Sequence, residues 1–368
     1  MAQAELISSD SHVIEPRNLW VDRIDSAFKD KAPRWVMDPP GLQGEYFVVE
    51  GKPPSRPVVT FSAGVPAKDL PKHSATANVD DCRPGAWDPA ERMKDMELDG
   101  VSAEVIYSTK GLFLLGLADA PYQRACFDAF NGWLSEFCSY APKKLLGQAL
   151  ISVINIQDAV HDLKHAAKLG LRGAMIPCSL PDYGSYSDEK YDPFWAAAEE
   201  LGVPVTLHVA TGHPAEAHYD PWVRGLLNHI DVQRSLTDII FNGVFDKFPN
   251  LKIVSSENDI GWVAHYVYRA DAYYERMKYL RNGILKLLPT DYFRKNVHVT
   301  FMDDVIGVRN ADFFGADTFS WSSDFPHIQS TWPNSRDFVE KNFEGISDDI
   351  RRKITRDNVL KLYNLSLD

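Results

Sequence analysis

Short apolar runs recur along this chain with polar stretches between them, and within each run apolar and polar residues do not strictly alternate. The runs are residues 5–9 (ELISS), 103–108 (AEVIYS), 145–152 (LLGQALIS), 172–177 (RGAMIP), 203–208 (VPVTLH), 251–256 (LKIVSS), 297–301 (VHVTF) and 318–323 (TFSWSS). Most are rich in β-branched residues. Near-continuous apolar runs of this length suit strands buried on both faces, as in parallel sheets. Between most of them the pattern changes to helical spacing. Residues 87–100 (WDPAERMKDMELDG) offer Asp88 as N-cap, Pro89 at the first helical position and Glu91 three after the cap, a capping-box arrangement. Residues 191–202 (YDPFWAAAEELG) repeat the Asp-Pro start at Asp192 and stop at Gly202, and residues 155–170 also end in glycine. Strand and helix alternating eight times predict an α/β fold, a (β/α)8 TIM-type barrel formed by residues 1–368 as one domain.

Residues 21–87 break the alternation. Pro, Gly and aromatic residues cluster there, and GEYFVVEGKPP (44–54) reads as a short hairpin turning near Gly51. This stretch is predicted to be an insertion after strand 1 that covers the mouth of the barrel, where the loops following the strands build the site.

The strand ends are where polar chemistry collects. The first run leads into Asp10 and His12, the fifth ends in His208, the sixth is followed by Glu257 and the eighth by Asp324. Taken singly, each has a structural explanation: a surface acid, a hydrogen-bonded core histidine, a turn-capping aspartate. Taken together, they converge on one end of a barrel. Imidazoles and carboxylates gathered at one point make a site for a single divalent ion, zinc or manganese.

Composition narrows the partners. Hydrophobic residues make up 45% of the chain, enough for a large core. The net charge of −12 argues against a nucleic-acid partner, which needs a basic face. The four cysteines show neither a CxxC pair nor disulfide-dense spacing and read as reduced thiols. No basic stretch followed by an apolar one opens the chain, and no apolar run approaches the ~20 residues of a membrane helix. A cytoplasmic protein without a membrane partner is expected, acting on a small-molecule substrate as a homodimer or higher homo-oligomer.

The motifs DSHVIEP, GAWDPAERMKDMELDGV, TLHVATG, GVFDKFPNLKIV, HYVYRAD and SSDFPHIQSTWP, in this order over nearly the whole chain, resemble the amidohydrolase-related family. This group contains aminocarboxymuconate-semialdehyde, γ-resorcylate and 5-carboxyvanillate decarboxylases. The resemblance implies one catalytic divalent metal in a TIM barrel. Asp10 and His12 match the strand-one ligand pair, His208 the strand-five ligand, and Asp324 the aspartate that contacts the metal and shuttles a proton. Arg269 matches an arginine that receives a substrate carboxylate; its alternative is a helix-surface residue. Two departures stand out. Many members carry HxH where this chain has Asp10 and His12, and a hard carboxylate there leans toward manganese. Relatives also carry a histidine where this chain has Glu257. That acid could act as general acid or base, or ligate the metal.

Further residues are weaker candidates. His213, His218 and His327 lie in loops near ligand positions and could touch substrate. Asp303 and Asp304 could line the mouth or cap the next helix, Cys178 could line a cleft, and Glu15 could support His12 from behind. His161 and His165 sit four apart on a helix but away from the mouth. The resulting expectation is non-oxidative decarboxylation of a small aromatic or unsaturated carboxylate. Metal-dependent hydrolysis of a C–N or C–C bond is the alternative, and a catalytically silent ligand-binding barrel is a third reading of another class.

Overall fold

The computed structural model describes residues 5–56, 61–181, 184–211, 221–227, 229–280 and 284–367. Its core is one sheet of eight strands. These are β1 (Leu6–Val13), β4 (Val101–Ser108), β5 (Leu145–Leu150), β6 (Gly173–Pro177), β7 (Val205–His208), β8 (Ile253–Ser256), β9 (Val297–Phe301) and β10 (Phe319–Trp321). They neighbour one another in that order, and each adjacent pair is parallel. β10 comes round to β1: the Asp324 N–H donates to the Asp10 carbonyl at 2.9 Å, and the His12 N–H to the Phe325 carbonyl at 2.6 Å. Helices connect the strands, so this is a nearly closed (β/α)8 barrel, as the apolar runs predict.

Every residue of these eight strands is buried except Ser102, which explains why the runs do not alternate. β1 runs four residues beyond its apolar part. Its register against β4 shifts between Ser8 and Ser11, the mark of a bulge. The two serines that close the apolar part are tolerated because β10 and the residues after it satisfy them. The Ser9 hydroxyl donates to the Trp321 carbonyl at 2.8 Å, and Ser8 Oγ accepts the Ser323 N–H at 2.8 Å.

Helix ends follow the local signals with two differences. Asp88 caps helix Pro89–Asp99, accepting the Ala90 and Glu91 N–H groups. Glu91, however, pairs with Lys94 at 2.6 Å, while the Asp88 N–H goes to the Pro84 carbonyl, so the second half of the capping box is not used. Asp192 is the first residue of its helix rather than its cap, and it binds Lys247 at 2.8 Å. Gly202 ends that helix at φ 64°, a left-handed conformation in which a side chain costs energy.

In the insertion, β2 (Arg34–Met37) pairs antiparallel with β3 (Glu45–Val48), so the hairpin turns through residues 38–44 rather than only at Gly51. The chain does reverse again near Gly51, where Phe47 and Ser55 exchange both backbone hydrogen bonds at 2.9 Å. The earlier strand is masked in the sequence by its charged surroundings; Trp35 on it packs against Phe47. Phe61, Ala77, Val79, Cys82 and Ala86 form a small core of their own with Ile14. The insertion is tied to the strand ends by Ile14 N–H to Ala86 C=O and Ala63 N–H to Pro326 C=O, both 3.0 Å. No helix among the described residues is long and apolar enough to cross a membrane.

Candidate metal centre

Four strand ends bring their side chains to one point. His12 Nε2 lies 3.3 Å from Asp10 Oδ1, 3.2 Å from His208 Nε2 and 3.6 Å from Asp324 Oδ1. His208 Nε2 is 3.6 Å from both Asp10 Oδ2 and Glu257 Oε2. His327 adds its Nδ1 at 3.0 Å from Asp324 Oδ1. Asp10, His12, His208 and Asp324 are at most 1% exposed, and only Glu257 is partly open, its side chain 20% exposed. Glu257 and Asp324 both adopt positive φ, 57° and 55°. Non-glycine residues rarely take this conformation, which costs about 1–3 kcal/mol and clusters at functional sites.

The hydrogen bonds show what this cluster lacks. His12 Nδ1 is 3.0 Å from the Ser108 carbonyl and His208 Nδ1 is 3.0 Å from the Val209 carbonyl. Each Nδ1 therefore carries a proton, and with both rings in the neutral, metal-binding form an Nε2 lone pair of each faces the other. Two lone pairs at 3.2 Å repel unless something positive lies between them. Asp10 Oδ1 and both Asp324 oxygens are buried without a hydrogen-bond donor. An ion with ligands at about 2.1 Å separates adjacent ligand atoms by roughly 3.0–3.4 Å, close to the spacings found here. The residues fit a divalent cation.

Charge balance points the same way. Burial opposes ionisation of Asp10, but His208 and His12 outweigh it and hold the carboxyl below the usual range. Burial also opposes charge on His208, yet Asp10 and Glu257 raise it to about 9. His12 is pushed down to about 4 by burial and by His327 beside it. Asp324 rises to about 8 through burial, with His12 opposing and Asp10 adding to the effect. Glu257 is held well above the carboxylate range by burial and by Asp324. Three acids crowd a volume that pulls in positive charge.

A sequence profile described as amidohydrolase matches residues 81–365. The chain belongs to this amidohydrolase family. It is 25% identical over 339 residues to a γ-resorcylate decarboxylase of Polaromonas sp. (strain JS666), covering 83% of this chain and 94% of that one. Its fold is similar to that of an amidohydrolase from Mycobacterium avium subsp. paratuberculosis K-10, with a TM-score of 0.79, 23% identity and 100% of both chains covered. It is also similar to a 5-carboxyvanillate decarboxylase from Novosphingobium aromaticivorans with bound manganese, with a TM-score of 0.72, 18% identity and 98% and 97% coverage.

In this amidohydrolase a further set of buried and half-buried polar residues holds the cluster in place. The Ser256 hydroxyl donates to Asp10 Oδ2 at 2.7 Å. Glu15 accepts hydrogen bonds from the Lys110 and Gly111 N–H groups and from the Ser108 hydroxyl, and so fixes the turn whose carbonyl orients His12. Arg92 donates to the His12 carbonyl at 2.9 Å and pairs with Glu104 at 2.5 Å. Asp304 accepts the N–H groups of Ile260 and Gly261 at 2.8 and 2.6 Å, closing the turn after Glu257, and also caps the next helix through Gly307. Arg92, Glu104 and Ser256 escaped the sequence reading. Only their unusual polarity inside otherwise apolar or helical motifs could have flagged them.

The remaining candidates sort by position. His327 joins the cluster, its Nε2 3.0 Å from the Thr109 hydroxyl. Arg269 is exposed on helix Val263–Met277, and among the described residues no hydrogen bond or ion pair links it to the cluster. His213 and His218 lie outside the described residues. His161 and His165 are exposed on helix Ile156–Lys168. Asp303 binds Lys341 and Asn342, and Cys178 is buried with its N–H on Thr211.

Proposed function

We propose that this amidohydrolase is a carboxy-lyase that removes carbon dioxide from a small aromatic or unsaturated carboxylate. It would hold one divalent metal, manganese in preference to zinc, through Asp10, His12, His208 and Asp324. The observation that carries this reading is the pair of opposed Nε2 lone pairs ringed by donor-less carboxylate oxygens, in a chain whose relatives are decarboxylases. Two carboxylates among the ligands make the site hard and favour manganese. The metal would supply positive charge to a substrate carboxylate and a neighbouring oxygen.

Asp324 is the residue placed to move a proton. His327 Nδ1 lies 3.0 Å from its Oδ1, and His327 Nε2 lies 3.0 Å from the Thr109 hydroxyl, so the ring is held against the carboxyl from one side. Asp324 gives its proton to the ring carbon bearing the carboxylate. The C–C bond then breaks, its electron pair returns to the ring and carbon dioxide leaves. Asp324 is reprotonated from solvent. Glu257, at the open edge of the cluster, donates a hydrogen bond to the substrate. Hydrolysis remains the second reading on one observation: a carboxyl beside His208 is also placed to take a proton from water.

Elemental analysis should find about one divalent ion per chain, and His208→Ala should lose most of it along with turnover. Full occupancy in that variant removes the metal site. A panel of aromatic carboxylates and amides, scored for both carbon dioxide and amine, decides the reaction. Glu257→Gln keeps a donor and should retain substantial decarboxylation. A dead Glu257→Gln enzyme, together with solvent ¹⁸O in the wild-type product, promotes the hydrolase.

A further inference from the structure

A cavity of about 550 Å³ opens at the same end of the barrel as the cluster. Successive strands supply its wall through the segments that follow them: Leu117 after β4, Ile154 after β5, Leu180 after β6 and Thr211 after β7. Thr211 ties its wall to the end of β7 that carries His208, since its hydroxyl donates to the His208 carbonyl at 2.6 Å and accepts the Cys178 N–H at 2.8 Å. Its described lining residues include two lysines and no acid, in a chain with 51 acidic and 39 basic residues. Lys52 comes from the insertion, and its ammonium is held at the rim by the Gly116 carbonyl at 2.6 Å. Lys190 is 63% exposed, 3.8 Å from Asp188.

The volume falls within the roughly 300–1,000 Å³ of small-molecule sites, and a single aromatic ring fills only part of it. An apolar wall with two cations at the rim suits a ligand with an apolar body and an anionic end. We infer that the substrate class is an aromatic acid extended by an apolar arm that ends in a second anionic group. The reacting carboxylate faces the cluster, the arm lies along Leu117, Ile154 and Leu180, and the distal anion meets Lys190 and Lys52. This rests on the decarboxylase reading for its reacting end and names what that reading leaves open.

The test uses the full-length, manganese-loaded protein and two probes measured by calorimetry: salicylate, and salicylate bearing a 4-carboxybutyl chain at ring position 5. The armed acid should bind about tenfold more tightly than salicylate, and Ile154→Trp and Lys190→Glu should each remove most of that ratio. Both changes are at exposed positions, so the fold should survive, and a melting curve checks it. Equal affinity of the two probes in the wild type, or a ratio untouched in both variants, overturns the assignment. Carbon dioxide release is scored separately. A ratio that depends on the cavity without carbon dioxide release removes the decarboxylase reading and leaves the cavity assignment standing. Turnover of both acids with a ratio of one does the reverse.

Discussion

His12 has both faces of its environment set by other elements. The Ser108 carbonyl accepts a hydrogen bond from its Nδ1–H, while Arg92 holds its backbone carbonyl and neutralises Glu104. Arg92 and Glu104 are 0% and 3% exposed, so neither charge has water to fall back on. Removing one partner of such a pair costs about 3–5 kcal/mol, whereas replacing both with apolar groups of similar volume can be nearly neutral. Arg92→Met should therefore lower stability by about that amount in urea unfolding and weaken metal retention. Arg92→Met with Glu104→Leu should recover most of the stability but not the metal affinity, because the His12 carbonyl has still lost its donor. If the double variant is no more stable than the single one, the cost lies in packing and not in the orphaned carboxylate. In the sequence, Arg92 sits in a helical motif whose charge pattern looks like an ordinary solvated face. Nothing local says that its side chain reaches back to β1.

The turn after β8 shows how one element is shaped by another. Glu257 and Asp259 both take positive φ, which is unfavourable for residues with a Cβ. Asp304, in the turn that follows β9, compensates by accepting two N–H groups of that turn after β8 while capping its own helix. Asp304→Ala strands three donors and should cost about 2–4 kcal/mol. It should also reduce kcat more than metal content, because the turn that aims Glu257 is loosened while the ligands stay on their own strands. Asp304→Asn, which keeps one acceptor oxygen, should recover part of both losses. An Asp304→Ala enzyme with normal kcat would show that this turn does not need Asp304 to aim Glu257. The helix cap was readable from sequence, since an acid just before a helix suits that role. The bonds to Ile260 and Gly261 were not, because they span two neighbouring strands of the barrel.

Stability across the whole barrel also responds to pH through a residue far from the chemistry. His298 on β9 is pushed down to about 3 by burial, then by Lys252 and Lys361. It folds neutral, whereas in the unfolded chain it titrates near 6.5. A depressed folded value means that its contribution is fully present above about pH 6.5 and is lost as pH falls toward about 3. Between pH 7.5 and 4.5 this amounts to about 2–3 kcal/mol. His298→Gln should flatten the urea-derived stability profile over that window. If the wild type and the variant lose stability in parallel, His298 is not the group responsible.

The chain pattern alone determined the architecture. Eight apolar runs separated by helical segments admit few arrangements other than a parallel barrel, because each run must be buried on both faces and each crossover must be covered by a helix. It also determined that Asp10, His12, His208, Glu257 and Asp324 would meet, since strand ends in a barrel share one rim. What only the tertiary structure decided is how they meet. The bulge that carries β1 past Ser9, the carbonyls that fix both histidine tautomers, and the Arg92–Glu104 pair all depend on contacts between residues far apart in sequence. The position of Arg269 on an exposed helix surface was left open for the same reason. A side chain's direction on a helix follows from its phase against the core, and the core is assembled only when the whole barrel closes.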